Sequence, residues 1–81
     1  MQREIILPEL GADSAVLSAW FADLGDLVYE GDRLVEVLVG GATFDVSAPA
    51  TGRLVERRAH PDQPLVTGEV LGLLEVVDEA G

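Results

Sequence analysis

Leu34-Val35-Glu36-Val37-Leu38-Val39-Gly40-Gly41-Ala42-Thr43-Phe44-Asp45-Val46-Ser47 lies at the middle of the 81-residue chain, and its reading decides the fold. Two runs rich in β-branched and other apolar residues flank a Gly-Gly pair, which is a strong signal for a two-residue hairpin. Both loop positions of a type I′ turn need positive φ, and glycine adopts it without the strain that a Cβ brings. The segment predicts antiparallel strands Leu34 to Val39 and Thr43 to Ser47, with Gly40-Gly41 at the tip.

The same texture extends in both directions. Short β-type runs occur at Glu4 to Leu7, Ala15 to Phe21, Leu27 to Tyr29, Arg53 to Arg58, Leu65 to Thr67 and Leu71 to Val76. Between them stand Pro8, Gly11, Gly25-Asp26, Gly31-Asp32, Pro49 with Gly52, Pro61 to Pro64, and Gly68, spaced too closely for long helices. Only Ser14 to Leu24 offers a rival helical reading. Val28-x-x-Gly31-x-x-Leu34 reappears as Leu65-x-x-Gly68-x-x-Leu71, an offset of 37 residues that also carries Leu17 onto Leu54. The expected fold is all-β: a flattened barrel or sandwich of two four-stranded sheets with quasi-two-fold symmetry. Leu34, Val37, Val46, Leu54, Leu71 and Leu73 are its expected core contributors. One domain over residues 1–77 accounts for the pattern, with 78–81 as a tail or the start of a linker.

Composition narrows the function. Hydrophobic residues make up 48% of the chain, enough for one modest core. Five arginines face 15 acidic residues for a formal charge of −10, which repels nucleic acid. The acidity fits either a solvated surface or a docking face for a basic partner. No cysteine is present, so disulfides, thiolate metal sites and thiol nucleophiles are ruled out together. No apolar run approaches the roughly 18 residues that argue a membrane span. The expected setting is soluble and intracellular, in the cytoplasm or, in a eukaryote, the mitochondrial matrix.

Ile6-Leu7-Pro8-Glu9-Leu10-Gly11, Ala19-Trp20-Phe21, Gly25 to Val37 and Ala42 to Gly52 fall in an order and spacing that resembles lipoyl domains, the carrier modules of 2-oxo acid dehydrogenase complexes. The resemblance runs from residue 4 to about residue 76. It implies a hairpin-tip attachment signature, Asp-Lys-Ala, whose lysine carries lipoate. Gly40, Gly41 and Ala42 stand at those positions here, Gly41 in place of the lysine. The chain contains no lysine at all, so no neighbour can substitute, and the Met-Lys-Met signature of biotinyl domains is absent too. No cofactor is therefore expected on this chain, although lipoate belongs to the family it resembles.

Other chemistry-bearing residues read more plainly. Leu10-Gly11-Ala12-Asp13-Ser14 has the look of an acyl-carrier Asp-Ser attachment segment, but the helices that family needs are missing, and a turn is expected. His60, the one histidine, stands in a turn-rich segment beside Asp62 and makes neither a triad nor a metal site. Asp23, Asp26, Glu30 and Asp32 lack the spacing of a calcium loop. Trp20-Phe21 should send one ring inward and the other outward, with Phe21 expected inward. No catalytic or metal-ligating set is expected.

The resemblance implies a non-catalytic domain with three possible roles. It is a non-lipoylated structural or docking module related to the acyltransferase component, or an acyl carrier whose lysine is absent from this version of the chain or this paralogue. The third is an adaptor-type lipoyl-like domain. The last ranks lowest because the halves join directly through Gly40-Gly41, with no helical insert. Expected partners are proteins, complex components or a lipoate ligase, with no nucleic acid and no membrane.

Overall fold

The computed structural model describes residues 1–11 and 14–77. It contains strands β1 (Gln2–Ile6), β2 (Ala15–Trp20), β3 (Leu27–Val28), β4 (Arg33–Val39), β5 (Ala42–Ser47), β6 (Gly52–Arg57), β7 (Pro64–Leu65) and β8 (Val70–Val76). All eight expected strands are present with ends displaced by a residue or two. Ser14 to Leu24 holds a strand where a helix competed as a reading. The strands form two four-stranded antiparallel sheets, in the orders β1-β8-β6-β3 and β5-β4-β2-β7. The tail assigned to 78–81 lies outside the described residues.

The 37-residue repeat is written into the hydrogen bonding. Leu17 N donates to the Gln63 carbonyl at 3.0 Å, and Leu54 N donates to the Asp26 carbonyl at 3.0 Å. Asp62 N donates to the Leu17 carbonyl at 2.8 Å, and its counterpart Gly25 N to the Leu54 carbonyl at 2.7 Å. Phe21 N to Leu34 O and Arg58 N to Leu71 O, both 2.8 Å, complete a third equivalent pair. The first two pairs join each half to a loop of the other, and the third closes each loop within its own half.

The core lies between the sheets. Ile5, Leu7, Leu17, Leu34, Val35, Val37, Leu54, Leu71 and Leu74 are essentially inaccessible, and each such aliphatic side chain contributes about 1.5–3 kcal/mol by leaving water. The six expected core residues are all buried, Leu73 apart from the contiguous cluster. Burial does not alternate simply along β4, because the β4–β5 register shifts between Arg33 and Val35; Leu34 and Val35 are both buried.

A second bulge corrects the expectation for the aromatic pair. Leu17 pairs with Val37 and Trp20 with Val35, so three steps along β2 match two along β4. The extra residue reverses which face the following side chains take. Trp20 packs against the core and donates its indole Nε1–H to the Ala59 carbonyl at 2.9 Å. Phe21 is the outward ring, 48% exposed, with the Arg33 guanidinium 5.3 Å from its centroid. The indole N–H needs a partner once partly buried, a demand a phenyl ring does not make.

Gly52 shows where the two halves differ in packing. Its repeat counterpart is Ala15, whose Cβ is accommodated in the core, but a Cβ at Gly52 would collide with the Glu75 carbonyl on neighbouring β8. The obstacle is backbone and cannot rotate away. Gly52→Ala is expected to lower unfolding free energy by about 1–3 kcal/mol, the usual cost of overpacking. Urea denaturation followed by Trp20 fluorescence measures it.

Candidate functional site at the hairpin tip

The β4–β5 ladder ends with Val39 opposite Ala42, leaving Gly40 and Gly41 as a two-residue loop. Their φ angles are 56° and 86°, both left-handed as the type I′ reading requires. Gly40, Gly41 and Ala42 are exposed, and a Cβ built on either glycine meets nothing within 4 Å. A side chain at this tip would enter open solvent, and its cost would be conformational alone. Beside the tip is a cleft of about 350 Å³ bordered by Glu9, Leu10, Val39, Ala42, Thr43 and Phe44.

Attachment of a carboxylic acid cofactor through an amide needs a nucleophilic amine on the tip. Gly40-Gly41-Ala42 supplies none, and the described chain has one amine, the N-terminal ammonium of Met1, bound to Glu75 Oε2 at 2.7 Å. That ammonium lies beside β8, where Val76 N donates to the Met1 carbonyl at 2.8 Å. The residues at the tip do not fit a lipoyl or biotinyl group.

The remaining candidates are scattered. His60 is exposed and its backbone N–H donates to Gln63 Oε1 at 3.1 Å. Ser14 is exposed just before β2, while Ala12 and Asp13 of the Asp-Ser segment lie outside the described residues. No group of three or more His, Cys, Asp or Glu residues among the described ones could hold a metal ion. Glu56 accepts a 2.8 Å bond from Arg58 Nε and pushes that guanidinium's pKa up.

The acidic residues of the 23–32 segment have work that sequence reasoning missed. Asp26 Oδ2 accepts from Asp23 N at 2.8 Å, and Asp32 Oδ2 accepts from Tyr29 N at 2.9 Å. Gln63 and Glu69 make the equivalent bonds to His60 N and Val66 N in the second half. The available signal was a side-chain acceptor three residues after each turn start, repeated at the offset of 37.

Comparison with known proteins decides the family. The family model Biotin_lipoyl, described as "Biotin-requiring enzyme", matches residues 3–74. The chain belongs to this biotin/lipoyl attachment family. It is 34% identical over 74 residues to the lipoamide acyltransferase component of the branched-chain alpha-keto acid dehydrogenase complex of Pseudomonas aeruginosa, covering 89% of this chain and 17% of that protein. It is 30% identical over 81 residues to the dihydrolipoyllysine-residue succinyltransferase component of the 2-oxoglutarate dehydrogenase complex of Rickettsia typhi, covering 96% of this chain and 20% of the relative.

Solved structures agree on the fold. The lipoyl domain of the 2-oxoglutarate dehydrogenase complex from Azotobacter vinelandii superposes with a TM-score of 0.67 at 24% identity, covering 88% of this chain and 90% of that one. A single-chain, multi-domain long-chain acyl-CoA carboxylase contains a match with a TM-score of 0.81 at 19% identity, over 98% of this chain and 7% of the carboxylase. This lipoyl-like domain spans about a fifth of the length of the curated relatives it matches. Lipoyl and biotinyl domains of the family are carriers and do not catalyse.

The tip geometry sets a stability expectation. Gly40→Ala and Gly41→Ala each meet no steric obstacle yet hold a Cβ residue at positive φ, at a cost of roughly 1–2 kcal/mol apiece. Chemical denaturation of each variant measures this. A neutral result at both positions would mean that the loop readily relaxes to another turn.

Proposed function

We propose that this chain is a non-acylated lipoyl-like module that docks or supports within a 2-oxo acid dehydrogenase assembly, without carrying an acyl group and without catalysing a step. One observation supports the reading: the hairpin tip is a type I′ turn made of Gly40-Gly41 with no side-chain amine, and we read Gly41 as standing at the position of the family's attachment lysine. Gly40 and Ala42 complete the altered signature. Carrier function depends on a long, flexible amide-linked arm, and glycine offers no atom on which to build one.

The relatives' names supply the setting. They are acyltransferase components of branched-chain, 2-oxoglutarate and pyruvate dehydrogenase complexes. A domain of this fold that retains the carrier scaffold but lacks the hook is suited to contacts with other protein components of such a complex. Its surface, formally at −10 overall, favours protein partners with basic surfaces.

The decisive comparison is between the chain and its Gly40→Asp/Gly41→Lys variant, each incubated with lipoate and a lipoate ligase. The parent is expected to remain unmodified and to give no reductive acylation with a 2-oxo acid decarboxylase component. The variant is expected to gain one lipoyl group, because both new side chains enter open space and the β4 and β5 flanks are already in place. Mass spectrometry reads the result, with amide spectra to verify folding. Lipoylation of the parent would overturn the proposal. A folded variant that stays unmodified would show that the ligase-reading surface has diverged along with the lysine.

A further inference from the structure

The two-fold repeat provides an internal control for the molecular surface. Loops 21–33 and 58–70 close with the same backbone and side-chain bonds, so their fold requirements are the same. Their exposed residues are not. Phe21, Leu27 and Tyr29 in the first half stand where Arg58, Pro64 and Val66 stand in the second. All three are exposed, at 48%, 41% and 59%. The exposed Phe21 and Tyr29 rings of the first half are therefore not demanded by the fold, since its second copy closes the same turns with Arg58 and Val66 at those positions.

Phe21 and Leu27 lie in one groove of about 390 Å³, which Asp26, Asp32 and Arg33 also border. The Arg33 guanidinium lies over the Phe21 ring and reaches Asp45 Oδ2 at 3.4 Å. A phenyl ring has only two side-chain torsions to lose on binding. Asp26, Glu30 and Asp32 make no ion pair among the described residues; the nearby arginines are engaged elsewhere, Arg57 with Asp23 at 3.9 Å and Arg53 with the Gly25 carbonyl at 3.0 Å. The groove combines apolar Phe21, Ala22, Leu27 and Val28 with carboxylates that cap turns but make no ion pair, on a chain of net charge −10. Self-association would bring like charges together, which disfavours a second copy as the occupant.

We infer that the Phe21–Leu27 groove is a docking site for a basic segment of a protein partner, which places an apolar side chain between Phe21 and Leu27 and its cations against Asp26 and Asp32. This deepens the docking role proposed above, but it concerns a different surface from the hairpin tip. The lysine-graft experiment can therefore fail without touching it, and the reverse also holds.

The test uses the isotope-labelled chain and a short synthetic peptide of alternating arginine and leucine. Amide shifts are expected to move within residues 21–33, with affinity falling as salt is raised. Phe21→Ser should weaken binding about tenfold or more, as loss of a central anchor does. Asp26→Asn/Asp32→Asn should also weaken it and flatten the salt dependence. Asparagine keeps the acceptor oxygen for both turns, as neutral Gln63 already does at the position equivalent to Asp26. Leu27→Ser serves as the anchor test if Phe21→Ser does not fold. The inference is overturned if shifts concentrate at 38–44 or 58–70, or if neither anchor variant changes affinity. Equal binding of a glutamate-leucine peptide, or dimerisation of the free chain through residues 21–33, would overturn it as well.

Discussion

Leu17 and Leu54 each exchange two backbone hydrogen bonds with a loop of the opposite half, and the rest of the architecture depends on that reciprocity. Both side chains are wholly buried, so their backbone groups would be costly to leave unpaired. The partners are loop residues whose φ is positive at Gly25 and Asp62, 91° and 69°. Those angles turn each loop so that one residue donates to the leucine carbonyl while the next accepts from its N–H. Aspartate tolerates the left-handed region better than most residues, which lets the second half make the turn without glycine.

The same symmetry explains the special status of the β4–β5 hairpin. The offset of 37 carries Val39 to Val76, and Val76 faces Met1 across the β1–β8 pair, its N donating to the Met1 carbonyl, as Val39 faces Ala42 across β4–β5. Gly40-Gly41 joins β4 to β5 at one position, and at the other β1 and β8 are joined by hydrogen bonds with no tight turn between them. The scaffold thus provides one exposed, covalently closed tip. In a carrier domain that is the natural place for an arm, and here two glycines close it with no side chain to bear one.

Much of this was legible in the sequence because glycine and proline punctuate the strands at short intervals and Gly-Gly specifies its turn almost alone. The 37-residue offset identified the symmetry, and the composition showed that the tip has no lysine. Less legible were features set by pairing between distant segments. Phe21 reads as inward if β2 alternates strictly from Leu17; the bulge opposite Glu36 exists only once β2 lies on β4. Leu34 and Val35, buried side by side, escape a period-two reading for the same reason. Asp26 and Asp32 looked like solvated charge until their turns were formed around them.

The central claim is that a carrier scaffold has been kept while its point of attachment has been lost. The most direct measurement is the intact mass of the protein isolated from its own cells, followed by peptide mapping across residues 36–45. The account predicts unmodified residues throughout that segment. A lipoyl or biotinyl adduct on any of them would contradict it.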